Sequence, residues 1–325
     1  KTSYNGNYGL NASWTIYNGS KRLKTFKQER LNNQVAELDV ATSENTIKES
    51  IAQIYIQILY AAESVRVNEN TLQVSIAQRD RGQELLNAGS IAKSDFAQLE
   101  AQVSTDRYQL VTAQATLQDY KLQLKQLLEL DGENEMNVYL PKLSDENVLA
   151  PLPAKKDVYV SALAIRPEIE ASKLNVEASE LGIDIAKSSY FPTISLSAGI
   201  GTNHTSGSDF TFGEQVKNGW NNSIGLSVSV PIFNNRQTKS AVQKAKLQRE
   251  TNMLSLLDEQ KALYKTIESL WLDANSAQQR YAAANEKLRS TQISYDLISE
   301  QFNLGMKNTV ELLTEKNNLL QAQQE

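Results

Sequence analysis

Ile194-Ser195-Leu196-Ser197-Ala198-Gly199-Ile200-Gly201 alternates an apolar residue with a serine or glycine throughout. Ser223-Ile224-Gly225-Leu226-Ser227-Val228-Ser229-Val230 does the same, and Tyr8-Gly9-Leu10-Asn11-Ala12-Ser13-Trp14-Thr15-Ile16 repeats the pattern near the N-terminus. A strict period of two means a β-strand with one apolar face and one small, polar face. An ordinary half-buried sheet carries Lys, Glu or Thr on its wet side. Here that side carries Ser, Gly and Asn, as the wall of a confined space would. Each run is about ten residues, the length a tilted strand needs to cross a bilayer. No stretch offers the roughly twenty consecutive apolar residues of a spanning helix, so a membrane role requires a barrel.

Outside these strands the chain reads as long helices. From Ser20 to about Asn87 there is no proline, and Gly82 is the only glycine. Ile47, Ile51, Ile54, Ile58, Ala61 and Val65 step four, three, four, three, a coiled-coil seam. A helix of about 67 residues is roughly 100 Å long. Gly89 suits a C-terminal cap in the left-handed region. Helical pattern resumes by Lys93 and runs to Leu130 through Phe96, Leu99, Val103, Leu110, Leu117, Leu124 and Leu127. Gly89 is therefore the tip of an antiparallel hairpin spanning 18–130.

From Asp131 to Ala154 the turn residues Asp131-Gly132-Glu133-Asn134 and Pro141, Pro151 and Pro153 predict irregular structure. Short helices are predicted over Lys156–Ile165 and Pro167–Ser188, with Pro167 as a first helical residue. A β-hairpin occupies 191–233, with a polar, glycine-rich loop over Thr202–Gly219 pointing away from the helical ends. A second rod follows from Arg236 to Asn303. Its seam is Leu263, Ile267, Leu270, Ala274, Ala277, Tyr281, Ala284, Leu288, Thr291, Tyr295, Ile298 and Phe302. Gly305 breaks it, and a last helix starts near Thr309.

The chain repeats itself. Gly9-Leu10 matches Gly225-Leu226, Ile16-Tyr17-Asn18 matches Ile232-Phe233-Asn234, and Asn87-x-Gly89 matches Asn303-x-Gly305, each pair 216 residues apart. Matches at both ends of a rod fix its length in both copies and imply pseudo-symmetric copies side by side. A full copy feeds its rods from a hairpin, and the first copy shows one strand, so its partner is expected before Lys1. The chain opens almost inside a strand and stops inside a helical pattern; both ends are expected to be cut relative to the gene product. Four strands per chain cannot close a conducting barrel, but three chains give twelve, an even count without edges.

Composition narrows the chemistry. The 325 residues carry a formal net charge of −5 and no cysteine, which excludes thiol catalysis, disulfides and Cys-ligated zinc. No basic stripe or base-stacking motif argues for nucleic acid. There is no nucleophile–His pair, phosphate loop or metal spacing, so no enzyme, cofactor or metal site is expected. His204, the single histidine, reads as a solvated loop residue.

Ala164-Ile165-Arg166-Pro167-Glu168, Ser189-Tyr190-Phe191-Pro192-Thr193-Ile194-Ser195-Leu196, Val228-Ser229-Val230-Pro231-Ile232-Phe233-Asn234 and the two glycine-centred tips stand in a specific order. In them the chain resembles the TolC-like family of outer-membrane efflux proteins. The resemblance implies a mixed α and β fold. A long α-helical coiled-coil barrel is continuous with a transmembrane β-barrel formed by a homotrimer, with 12 strands and four per full-length chain. It implies an outer-membrane position with a long periplasmic extension, and an equatorial collar over Asp131–Ile165. It also implies a periplasmic adaptor meeting the tips and, indirectly, an inner-membrane pump of RND or ABC type. Adaptor contact would fall on Asn87, Gly89, Ser90, Asn303, Gly305 and Met306. The periplasmic gate would involve Ser94, Asp95, Phe302, Lys307 and Glu311, with Asp95 near Lys307 across adjacent inner helices. Phe302 stands where the family has a hydrogen-bonding tyrosine, and Thr314 where it has a second acid, so the closed state is expected to be held differently.

Plainer roles compete. Gly89 and Gly305 can be simple C-caps. Asp95 and Glu311 lie in first turns, where acids favour the helix dipole, and Asn308-x-x-Glu311 is close to a capping box. Tyr17, Tyr190, Phe191 and Phe233 gather at the helix-side ends of the strands, as an interfacial aromatic girdle does. Trp14 extends that girdle or faces lipid deeper in. The sequence thus favours a passive exit duct for drug efflux or type I secretion. The rival is a soluble trimeric coiled-coil protein, structural or adaptor, with a small β cap.

Overall fold

The computed structural model describes residues 4–130, 137–141 and 148–325. Its elements are β1 (Asn5–Asn18), α1 (Lys21–Asn87), α2 (Lys93–Leu127), α3 (Lys155–Ile165), α4 (Pro167–Ser188), β2 (Thr193–Thr205), α5 (Phe212–Asn218), β3 (Asn221–Ser229), α6 (Gln237–Asn303) and α7 (Thr309–Gln324). The turn expected at Asp131–Asn134 lies outside the described residues. Two compact units emerge: one holds residues up to Thr42 with Tyr159–Lys265, the other Ser43–Val158 with Thr266–Glu325.

In the first unit the three strands form an antiparallel sheet in the order β1-β2-β3. Its register aligns the apolar residues across all three strands. Trp14 faces Leu196, which faces Leu226; Ala12 faces Ala198, which faces Ile224; Leu10 faces Ile200, and Ile194 faces Val228. The opposite face aligns Ser13, Ser197 and Gly225, then Asn11, Gly199 and Ser223. A Cβ on Gly199 would lie 2.7 Å from Asn11 Oδ1 and 2.9 Å from Ser223 Oγ, so a larger residue there would have to push these two side chains aside. Among the described residues nothing covers the apolar face: Ile224 is 84% exposed and Leu226 67%.

Helix α4 packs in the same unit against the starts of both rods. Gln28 Nε2 of α1 donates to Ala178 O at 2.8 Å, Arg249 of α6 pairs with Glu180 at 2.8 Å, and Ile169 is fully buried.

The strand-to-rod corners occur twice with the same backbone. Gly19 and Ser20 take positive φ values of 64° and 62°, and Asn235 and Arg236 take 51° and 64°. Helices α1 and α6 each run 67 residues, with both ends displaced by the same 216 positions.

In the second unit much of each seam turns inward: Ile58 and Ala61 of α1, Leu99 and Val103 of α2, and Phe302 of α6 are buried, whereas Ile47, where the α1 seam was expected to begin, is 49% exposed. The seam expected in α6 departs at Leu270, which is 60% exposed. Trp271 is engaged instead: its Nε1 donates to Pro153 O at 3.1 Å and Lys155 lies over its ring at 4.7 Å. The indole has a hydrogen bond to satisfy that a leucine lacks. The Val148–Lys155 segment is further tied down by Gln278 Nε2, which donates to Val148 O and Ala150 O. Gly82, the interior glycine of α1, leaves space that the Leu99 side chain fills.

Candidate functional site

The two tips share one geometry. At the first, Gly89 N–H donates to Leu86 O at 2.9 Å and Ser90 N–H to Leu85 O at 2.8 Å; at the second, Gly305 N–H donates to Phe302 O at 2.9 Å and Met306 N–H to Gln301 O at 2.9 Å. These pairs close Schellman motifs, and the φ values of +74° at Gly89 and +75° at Gly305 show why glycine stands there. Asn87 and Asn303 end their helices. Leu304, Met306 and Val310 are exposed around the second tip.

The returning helices start differently. Asn308 Oδ1 accepts from Glu311 N–H at 2.9 Å, Glu311 Oε2 accepts from Asn308 N–H at 3.3 Å, and Lys307 Nζ donates to Glu311 Oε1 at 2.6 Å. At the first tip Ala92 offers no side-chain acceptor, and only the reverse bond forms, from Ala92 N–H to Asp95 Oδ2 at 3.3 Å. Lys307, followed by the Asn308 amide, holds the Glu311 carboxyl below its ordinary range. Within one chain, then, Asp95 and Glu311 act as helix caps and Lys307 is engaged by Glu311. Ser94 is exposed, and Phe302 is 3% exposed, packed inside its unit.

The four aromatics proposed as a girdle stand at one end of the sheet. A bulge between Thr15 and Tyr17 places Tyr17 opposite Ile194, on the apolar face. Tyr190 and Phe191 form the turn before β2, and Phe233 follows β3; all four are exposed. The chain passes Phe191 closely: a Cβ on Gly19 would sit 2.8 Å from Phe191 Cβ. Trp14, opposite Leu196, lies within the apolar band rather than at its edge.

Two constellations escaped the sequence reasoning. At the far end of the sheet, β2 continues to Thr205 and α5 rises within the segment expected to be loop. Its cap is Thr211, whose Oγ1 accepts from Glu214 N–H at 3.4 Å. Phe212 meets Tyr8 at 6.3 Å and His204 at 5.0 Å, both edge-on. His204 is therefore a half-buried strand residue opposite Gly6, not a solvated loop residue. The parity of Tyr8 with Leu10 was the available signal.

The second constellation is buried. Lys316 of α7 donates to Asp106 of α2 and to Ser75 of α1; Ser75 Oγ also donates to Asp106, and Gln102 Nε2 donates to Asp106 Oδ1 at 2.8 Å. Burial pushes the Lys316 pKa down, against the opposing pull of Asp106. Among the described residues no group of His, Cys, Asp or Glu could hold a metal, and no helix is long and apolar enough to cross a membrane.

An apolar-faced sheet and paired, length-matched rods define a protein of the helical-tunnel and β-barrel class. The sequence profile of the outer membrane efflux protein family matches residues 1–129 and 158–325, and the chain belongs to that family, whose members are channels rather than enzymes. It is 26% identical over 282 residues to the outer membrane efflux protein BepC of Brucella suis, covering 86% of this chain and 59% of that one. It is 24% identical over 329 residues to the outer membrane protein TolC of Escherichia coli, covering 97% and 64%. The chain thus spans about three-fifths of the length of these relatives. Its fold matches that of CusC with a TM-score of 0.82 at 18% identity, covering 99% of this chain and 77% of that one. VceC of Vibrio cholerae gives 0.81 at 15% identity, covering 99% and 82%.

Proposed function

We propose that this chain is a protomer of a homotrimeric outer-membrane exit duct, passive itself and opened at its periplasmic tips by an adaptor and an inner-membrane pump. The observation that carries it is the sheet: an apolar face aligned across three strands and left bare, backed by rows of serine, glycine and asparagine. Lipid suits the first face and a watery lumen the second. Apolar residues also stand exposed on the rods, Ile56 and Tyr60 of α1 and Val111 of α2 among them, as surfaces awaiting neighbouring protomers would. Gly89, Gly305 and the residues around them would meet the adaptor. Ser94, Asp95, Phe302, Lys307 and Glu311 would line or brace the gate.

The test is the behaviour of the protein extracted from membranes. It should need detergent for solubility, assemble as trimers, and produce discrete conductance steps in a planar bilayer. A detergent-independent trimer without conductance would establish the soluble coiled-coil alternative.

A further inference from the structure

The buried Lys316–Asp106 pair stands in an unlikely place. Asp106 is 0% exposed and Lys316 3%. Both occupy seam positions: Asp106 follows Leu99 and Val103 on α2, and Lys316 falls between Leu312 and Leu319 on α7, all of them buried. A charge in an apolar seam costs stability, and its best-attested use is to specify register. The pair has no counterpart in the repeat, because the positions 216 residues away from Ser75, Asp106 and Lys316 are Thr291, Ala322 and Glu100.

We propose that Asp106 and Lys316 are positioning residues of the aperture: their buried pair fixes the register of α7 on α1 and α2, and so sets where the Gly305 tip stands in the closed duct. The inference rests on the duct reading above for its functional consequence, though not for its geometry. Leu312, Leu319 and Leu320 could repack after α7 slides by a turn, since apolar surfaces are non-directional. Lys316 could not, because its ammonium would leave the Asp106 carboxylate that it pairs with in the seam, and an uncompensated buried charge is strongly disfavoured. Lys316 is five residues beyond Glu311 and nine beyond Lys307, so this anchor acts close to the tip. A cavity of about 70 Å³ borders Lys316, but its wall joins Val74, Leu319 and Leu320 to Asn70, Thr71, Tyr295 and Gln323 and holds no carboxylate that could replace Asp106.

The experiment uses the full-length trimer with spin labels at Ser90→Cys and Met306→Cys; the 325 residues contain no native cysteine. The decisive variant is Asp106→Leu with Lys316→Leu, which removes both charges and keeps the seam apolar. It should melt at or above the wild-type temperature. Its label distance should shift or split by about 5 Å, one helical pitch, and its conductance should rise. Asp106→Asn, which keeps the hydrogen-bonding shape and strands the lysine, should show the same shift with lowered melting. A double variant with wild-type distance would overturn the proposal, and so would one that fails to assemble, since the pair would then be a folding requirement. If the wild type gives no conductance while the label distances still move, the duct reading fails and the register lock stands.

Discussion

Glu311 serves two partners at once: one carboxylate oxygen accepts from Lys307 and the other caps the Asn308 amide. A carboxyl held below its ordinary value of 4.5 stabilises the fold fully above that value, and the contribution is lost as pH falls through the lowered one. Amide exchange at the start of α7 should therefore stay slow at pH 5 and accelerate below 4.5, measured against Glu311→Gln to remove the intrinsic pH dependence of exchange. Equal profiles for the two proteins would mean that Glu311 does not hold this helix start. The Asn308-x-x-Glu311 cap was legible because its members are three residues apart. The Lys316–Asp106 pair was not, since it closes over a separation of 210 residues and periodicity counts apolar residues while passing over polar ones in the same stripe. The expected Asp95–Lys307 contact across neighbouring helices must compete with the cap that holds Asp95 and with the Glu311 that holds Lys307.

At the scale of the element, strands and rods were legible where a pattern repeats for many residues. Period two in β2 and β3 fixes which side chains share a face, and the register then aligns them as that parity requires. Helix α5 was not legible, because seven residues are too few for periodicity and only Thr211-x-x-Glu214 announces it. The exposed Leu270 shows the opposite failure: a seam extrapolated by arithmetic, where Trp271 finds a hydrogen bond that decides the local packing. The strand pattern yields a prediction. Leu226 lies on the bare apolar face and its neighbour Ser227 on the polar one, opposite Ser195. Leu226→Arg should cost about 2–4 kcal/mol if that face meets the middle of a bilayer, and Ser227→Arg much less. Trimer yield in outer-membrane fractions reports the difference; equal yields would exclude lipid on this face.

For the whole molecule the sheet has two unlike ends. One carries Tyr17, Phe191 and Phe233 beside the corners into α1 and α6. The other carries Tyr8, His204, Phe212 and the Ser206–Thr211 turn leading into α5. If the rods extend into the periplasm, this second end faces outside the cell. Gly207 is well placed to report it. Its φ is +83°, a Cβ there would meet nothing within 4 Å, and the Thr211 cap of α5 starts four residues later. An epitope inserted after Gly207 should therefore leave the hairpin and α5 intact. It should bind antibody on intact cells without loss of efflux. The same epitope after Gly89, also an open position, should be reached only after the outer membrane is permeabilised, and it should impair efflux if an adaptor meets that tip. Labelling of Gly89 but not Gly207 on intact cells would invert the orientation. Labelling of neither, even after permeabilisation, would place both ends inside an assembly and exclude a free extracellular loop. Full efflux with the Gly89 insertion would move the adaptor contact away from the tip while leaving the orientation intact.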